Sequence, residues 1–310
     1  MAKAVVVASI NVDITVNVSR IPAVGETILG TAVHESRGGK GANQAVALAR
    51  LGAAVSVIGA VGEGPSGDDY RRALADEGID VTHVASTSGV ATGTALITVD
   101  AEGNNNIVVV PAANATLTPR SVADAADIIE QADVVLSQFE VPLPVTIAAF
   151  TRARSTRAIT VLNPAPAHSD GMSVVGLADV LVPNEVEFEQ LTGSPVADDS
   201  SLRHACGPLF SAGVAWVVIT LGGDGVALVG PDVVHRLPAE RVSAVDTTAA
   251  GDSFVAGLSS ILAQQRATGE NRLSESTLLR ACEFATRVAA KTVQTAGAQP
   301  SLPFAADLDD

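Results

Sequence analysis

Apolar residues fall into two kinds of segment along this chain. Short runs rich in branched side chains alternate with longer stretches of helical spacing. KAVVVASI at 3–10 has the length and branching of a strand buried on both faces. ITVNV at 14–18 and TILGTAVHE at 27–35, split by SRIPAVGE, mix polar and apolar positions. They predict strands with at least one face in water. Residues 41–51 place apolar side chains at helical spacing and stop at Gly52, a residue suited to the left-handed position after a helix. AVSVIGAV (54–61) predicts a second buried strand, and DDYRRALADEG (68–78) a second helix closed by glycine. Between 92 and 110, two β-rich runs flank AEGNN, a hairpin signal. From about residue 116, helical segments alternate with ADVVLSQ, AITVLNP, ADVLVPN, AWVVITLG and GVALVG. That alternation predicts a parallel sheet with helices on both faces. Residues 249–265 and 274–295 predict two long helices. The organisation expected is one α/β domain over 1–310, with a small β subdomain from about 14–35 and 92–110.

Composition narrows the function classes. Hydrophobic residues make up 47 % and charged residues 17 % of the 310, enough for a sizeable core, while 3 % aromatic content leaves Ala, Val, Leu and Ile to build it. A formal net charge of −15 repels nucleic acid and anionic membrane, so neither is expected as a partner. An anionic ligand would need a local site of backbone N–H groups and a few cations. The first apolar run is too short to span a bilayer and has no charged segment ahead of it, which predicts a cytoplasmic protein. Cys206 and Cys282 form no CxxC and read as buried thiols in a reducing compartment. His204 and Cys206 lack the further ligands that a metal site needs.

Several segments can carry chemistry. ESRGGKGANQAVALARLG (35–52) packs glycines around Lys40 ahead of a helix, yet it fails the P-loop pattern: no glycine stands five residues before Gly39, and Gly41 stands where the Ser or Thr should follow the lysine. In AVDTTAAGDSFVAGL (244–258) a loop of small residues opens a helix. The free N–H groups and dipole of that helix end suit a transferring phosphoryl group. Asp252 stands in the first turn, where it could equally be a capping residue. Asn184-x-x-Glu187 reads as a capping box or as a pair reaching phosphate and the water shell of Mg²⁺. TLGGDGVAL (220–228) is either a nucleotide loop or a tight hairpin. Asn11 and Asp13 in SINVDIT share a strand face and suit two neighbouring hydroxyls, or a turn. Glu140 lies at another strand end. GEGPSG (62–67) matches GxGxxG, but Pro65 interrupts it, so a dinucleotide-dependent oxidoreductase rests on little. The sequons at Asn17 and Asn114 carry no weight without secretion.

GGKGANQAVALARLG, NEVE and DTTAAGD, in this order, together resemble the PfkB-type sugar kinases, over nearly the whole chain from NVD to GAQPSLP at 297–303. The resemblance implies a three-layer α/β/α domain with a mostly parallel central sheet and a small β-sheet lid through which two copies pair. It implies transfer of the ATP γ-phosphoryl group to the 5-hydroxyl of D-ribose. Asp252 matches the catalytic base, and Ala249, Ala250 and Gly251 with it the anion hole, Ala249 standing where the family more often has glycine. Asn11, Asp13, Gly39, Lys40, Asn43, Glu140 and Asp252 match the sugar site. Asn184, Thr220, Leu221, Gly222, Gly223, Asp224, Gly225 and Thr286 match ATP-binding positions, together with Gly251 and Asp252. Asn184 and Glu187 match the Mg²⁺ region. Asp246, Thr248, Thr292, Thr295, Gly297 and Ser301 match a monovalent-cation site, expected to take K⁺. A sister kinase acting on fructose, deoxyribose or adenosine, and a non-catalytic sugar-binding regulator, stay open as alternatives.

Overall fold

A computed structural model describes residues 1–270 and 273–308. In chain order its strands are β1 (Lys3–Val7), β2 (Asn11–Val18), β3 (Gly30–Gly38), β4 (Ala54–Gly62), β5 (Asp80–Thr87), β6 (Gly93–Val99), β7 (Asn105–Val110), β8 (Val134–Gln138), β9 (Ile159–Asn163), β10 (Val180–Leu181), β11 (Trp216–Thr220), β12 (Val226–Val229) and β13 (Val234–Leu237). The helices are α1 (Lys40–Arg50), α2 (Pro65–Asp76), α3 (Pro119–Asp124), α4 (Ala126–Glu130), α5 (Leu143–Arg154), α6 (Met172–Val175), α7 (Glu185–Thr192), α8 (Asp199–Ala212), α9 (Ala250–Ala267) and α10 (Glu275–Thr292). One sheet runs β13-β12-β11-β10-β9-β8-β1-β4-β5; it is parallel from β11 to β5, and β12 and β13 are antiparallel at its edge.

The buried runs read from the sequence become the central strands, and strand alternation splits their side chains between two cores. Val6, Leu136, Val161 and Val218 pack under α1, α2, α9 and α10. Val7, Val135, Leu162 and Val217 pack on the opposite face under α3 to α8. Helices on both faces of a mostly parallel sheet are what buried strands require. Pro65 opens α2 at its first position, where a missing N–H does no harm, and a Cβ on Gly67 would lie 2.0 Å from Gly62 O. The GxGxxG match is thus a strand-to-helix turn closed on its own backbone.

A second, separate sheet has the order β3-β2-β6-β7. Its strands are displaced from the expected spans: β2 already begins at Asn11, and β3 runs 30–38 rather than 27–35. Register with partner strands sets these ends, Asn11 lying opposite both Gly38 and Gly93, and apolar alternation in exposed strands does not report that. The chain therefore leaves β1, crosses three residues and enters the small sheet at Asn11, so Asn11 and Asp13 belong to that sheet. No helix among the described residues is long and apolar enough to cross a membrane.

Candidate active site

The site begins at α9. Ala249 precedes the helix at φ 60, ψ 8, a left-handed conformation that strains any residue with a Cβ, and it offers no side-chain cap. Ala250 N–H donates to Thr247 O at 3.2 Å. The N–H groups of Gly251 and Asp252 remain for a ligand. They face a cavity of about 240 Å³ lined by Lys40, Asn163, Asn184, Glu187 and Asp252 among others. Asp252 is 7 % exposed and does not cap its helix. Its two oxygens accept instead from α1: Oδ2 from Asn43 Nδ2 at 2.9 Å, and Oδ1 from Gln44 Nε2 at 3.2 Å. Burial pushes the Asp252 carboxyl above the usual carboxylate range, against the pull of Lys40 and the two amide donors.

The glycine–lysine cluster lies across from it and holds no phosphate loop. Gly39 takes φ 89, and a Cβ there would meet Asn11 N and Ser9 O, both at 2.8 Å. That close approach sets the start of α1 against residues 9–11. Ser9 Oγ donates to Glu140 Oε2 at 2.6 Å, and Lys40 N–H donates to the same oxygen at 3.1 Å. Glu140 is therefore tied to the helix start rather than merely solvated. Asn11 Oδ1 accepts from Asn114 Nδ2 at 2.8 Å, which leaves its amide N–H to face a ligand. Asn43 Oδ1 is buried without a protein partner, an acceptor in search of a donor. Burial lowers the Lys40 ammonium, but Asp252, Glu140, Glu187 and Asp13 around it outweigh that and hold it above its ordinary value. Asp13 moves the other way from its usual acidity: burial, with Glu140 and Asp252, pushes it up to about 7.

On the far side of α9, a cavity of about 310 Å³ shares Thr220, Thr247 and Gly251 with the first, so the two adjoin at the helix N-terminus. Gly222, Gly223, Gly225 and Thr286 line it. The glycine segment is both things the sequence allowed, a turn joining antiparallel β11 and β12 and a wall of this cavity. Leu221 is buried in the core and Asp224 is exposed, and neither lines it. Asn184 and Glu187 do form a capping box: Asn184 Oδ1 accepts from Glu187 N–H at 2.8 Å, and Glu187 Oε2 accepts from Asn184 N–H at 2.9 Å. Both still line the smaller cavity, and burial raises the Glu187 carboxyl. Among the described residues no three His, Cys, Asp or Glu side chains gather as metal ligands. A divalent ion here would rest on phosphate oxygens and waters, with Glu187 at its edge.

The loop before α9 meets the segment after α10. Asp246 Oδ1 accepts from Thr248 N–H (2.9 Å) and Oγ1 (2.7 Å), and its Oδ2 accepts from Gly297 N–H at 2.8 Å. Burial opposes ionisation of Asp246, but these donors win and hold its carboxyl below the usual range. The hydroxyls of Thr292 and Ser301 donate to Val288 O and Ala298 O, and Thr295 N–H donates to Thr292 O. Sequence reading missed Ser9, Gln44, Asn114, Gln138 and Asn163. Ser9, Gln44, Gln138 and Asn163 carry one signal, a polar residue within or at the end of an apolar run.

The sequence profile of the pfkB family carbohydrate kinases matches residues 1–305. A ribokinase of Staphylococcus aureus is 38 % identical over 303 residues, 97 % of each chain. A deoxyribokinase of Salmonella typhi is 36 % identical over 251 residues, 81 % of this chain and 82 % of that one. The solved structure of Arabidopsis thaliana ribokinase complexed with ribose and ATP superposes with a TM-score of 0.87 at 30 % identity, covering 99 % of this chain and 97 % of that one.

Proposed function

The chain belongs to the pfkB family of carbohydrate kinases, and from that premise we propose that it transfers the γ-phosphoryl group of ATP to the 5-hydroxyl of D-ribose, giving D-ribose 5-phosphate and ADP. The observation that carries this reading is the placement of Asp252. It is buried where the sugar-facing side chains of β2 and α1 meet two adjoining cavities at the N-terminus of α9.

In this reading the sugar lies among Asn11, Asp13, Gly39, Lys40, Asn43 and Glu140, and the nucleotide lies along the wall from Thr220 to Thr286. The 5-hydroxyl oxygen bonds to the γ-phosphorus as the bridging bond to the β-phosphate breaks, and the hydroxyl proton passes to Asp252. N–H groups of Gly251 and Asp252 stabilise charge on the γ-oxygens, and alignment supplies most of the remaining rate. Mg²⁺ would neutralise phosphate charge beside Asn184 and Glu187 when bound. K⁺ would tie the 246–248 loop to 292–301, where an ionised Asp246 suits a hard cation. The small sheet acts as a lid, since Asn11 and Asp13 ride on it, and closing it excludes water. Its outer face, opposite Asp13, exposes Val33, Leu96 and Val108, which pair through Val16 and Ile14 into one apolar stripe; a second copy of the chain covers it.

The deoxyribokinase relative keeps a second acceptor in play, a pentose lacking one hydroxyl. ADP release from Mg-ATP, run with ribose, 2-deoxyribose, fructose and adenosine, with and without K⁺, decides between them. Ribose is expected to turn over best and faster with K⁺. Asp252→Asn is expected to lower turnover by about 10²–10⁴-fold with sugar binding kept. Equal turnover in that variant removes Asp252 from the base role.

A further inference from the structure

Gln44 sits one helical turn after Lys40 on α1 and is fully buried, 0 % exposed. Its Nε2 donates to Asp252 Oδ1 and to Asn163 Oδ1, each at 3.2 Å, and its Oε1 accepts from Gln138 Nε2 at 2.6 Å. A carboxamide packs almost equally well either way round, so its orientation is set by which neighbours need donors. Gln138 lines neither cavity, and Asn163 lines only the smaller one. Asn163, at the end of β9, donates its Nδ2 to Val182 O at 2.9 Å and so can show Gln44 only an oxygen. Gln138, at the end of β8, brings a donor to the other end of Gln44. Reversing Gln44 would set its oxygen against two oxygens, those of Asn163 and Asp252.

We propose that Gln44 is a positioning residue for Asp252, oriented by Asn163 so that it offers N–H to Oδ1 and keeps that carboxylate ionised and aimed. This rests on the reading of Asp252 as the base. With Asn43 on Oδ2, both oxygens are held from α1, and the plane of the carboxylate is set before any ligand arrives. The groups facing Asp252 are Lys40 on α1, Glu140 beyond β8, Asp13 on β2 and Glu187 on α7. Only Lys40 among them favours the ionised form, and burial works against it. The neutral donors Asn43 and Gln44 add to the pull of Lys40 without adding charge beside the incoming phosphates.

The test is the pH dependence of kcat from pH 5 to 9, with saturating D-ribose and Mg-ATP, for the wild type, Gln44→Leu, Asn163→Leu and Asp252→Asn. Leucine fills the space of Gln44 and removes the donor. Gln44→Leu is expected to lower kcat at pH 7 by about tenfold or more, the range for a lost hydrogen bond to a charged group. It should also move the acid limb of the profile to higher pH. Asn163→Leu frees Gln44 to rotate and should move the limb the same way by less; it carries the test if Gln44→Leu fails to fold. A profile lowered in height but unmoved in pH would mean that Gln44 merely packs, and overturns the proposal. Wild-type turnover in Asp252→Asn would instead overturn the base reading on which it stands, so the two failures are told apart.

Discussion

Gly38 offers a way to unseat Asp13 without touching it. A Cβ built on Gly38 would lie 1.9 Å from Asp13 Oδ2, 2.4 Å from Cγ and 2.6 Å from Oδ1, and it meets nothing closer. Gly38 has no positive φ, unlike Gly39, so alanine strains no backbone there. The three nearest atoms all belong to the end of one side chain. For Oδ2 to reach an ordinary separation of about 3 Å, the carboxylate must retreat by about 1 Å or rotate away, which breaks any hydrogen bond it makes to a sugar hydroxyl. A hydrogen bond to a charged group is worth about 1.5–3 kcal/mol, and each 1.4 kcal/mol is tenfold, so KM for the sugar should rise roughly ten- to hundredfold. KM for ATP should stay within about twofold, because Asp13 lies on β2 and lines neither cavity at α9.

The assay is a double-mutant cycle on sugar KM with Gly38→Ala, Asp13→Ala and the pair. Asp13→Ala removes the very atoms that the new methyl would strike. If Gly38→Ala acts only through Asp13, the double variant matches Asp13→Ala within about twofold, and the single effects do not add. Additive losses, or a Gly38→Ala enzyme with unchanged sugar KM, would refute the reasoning. Thermal unfolding without ligand provides the control. A buried carboxylate moved outward costs the fold nothing, so Tm is expected to hold or to rise slightly.

Two further outcomes are open to measurement. Asp13 in the folded chain titrates at about 7 against an ordinary 3.8, so between those values the folded form holds a proton that the unfolded form has lost, and Asp13 makes stability fall as pH rises through that window. Asp13→Asn should therefore unfold at nearly the wild-type temperature at pH 4 but at a higher one at pH 8; a difference that does not grow with pH would contradict the shift. The outer face of the small sheet should hold two chains together in solution, and Leu96→Glu, a charge in the middle of the apolar stripe, should shift the mass by light scattering from two chains to one with turnover of the large domain's chemistry still measurable.

How far a sequence speaks depends on what sets each feature. The strands β1, β4, β8, β9 and β11 were readable because burial on both faces demands uninterrupted branched side chains, and VVLSQ and ITVLN carry that demand locally. The ends of β2 and β3 were not, because partners far along the chain fix them and their exposed residues carry no burial signal. The motif residues of α1 and α9 were readable as short patterns. Their meeting was not: Asn43 reaches Asp252 across 209 residues, and Glu140 reaches the Lys40 N–H across 100. Gln138 and Asn163 end apolar strands with an amide, which marks them afterwards as strand-end residues at the site; alone each passes for a turn former. Asn114 drew notice only as a sequon, yet its amide holds Ile10 N–H, Ile10 O and Asn11 Oδ1 at the point where the chain enters the small sheet.

Charge explains why, in the proposed reading, a glycine–lysine cluster at a helix start takes a polyol and leaves the phosphates to another helix. In a phosphate loop the lysine is the surplus positive charge. Here the field of Asp13, Glu140, Glu187 and Asp252 already acts on Lys40, and the N–H at the start of its helix is taken by Glu140. A phosphate brought to this edge would meet more negative charge than positive, in a chain that is itself at −15. A neutral ligand bearing several hydroxyls meets the opposite situation. It donates to carboxylates that burial has left short of partners and to Asn43 Oδ1, and it accepts from Lys40 and from the amide of Asn11. The anion is left with the N-terminus of α9, where backbone N–H groups carry partial positive charge and no proton to lose. Among the described residues Asp252 is the one carboxylate placed on both sides of that division, within the first turn of α9 and bonded to α1. Proton transfer is needed at that boundary, where a neutral hydroxyl becomes part of a phosphate ester.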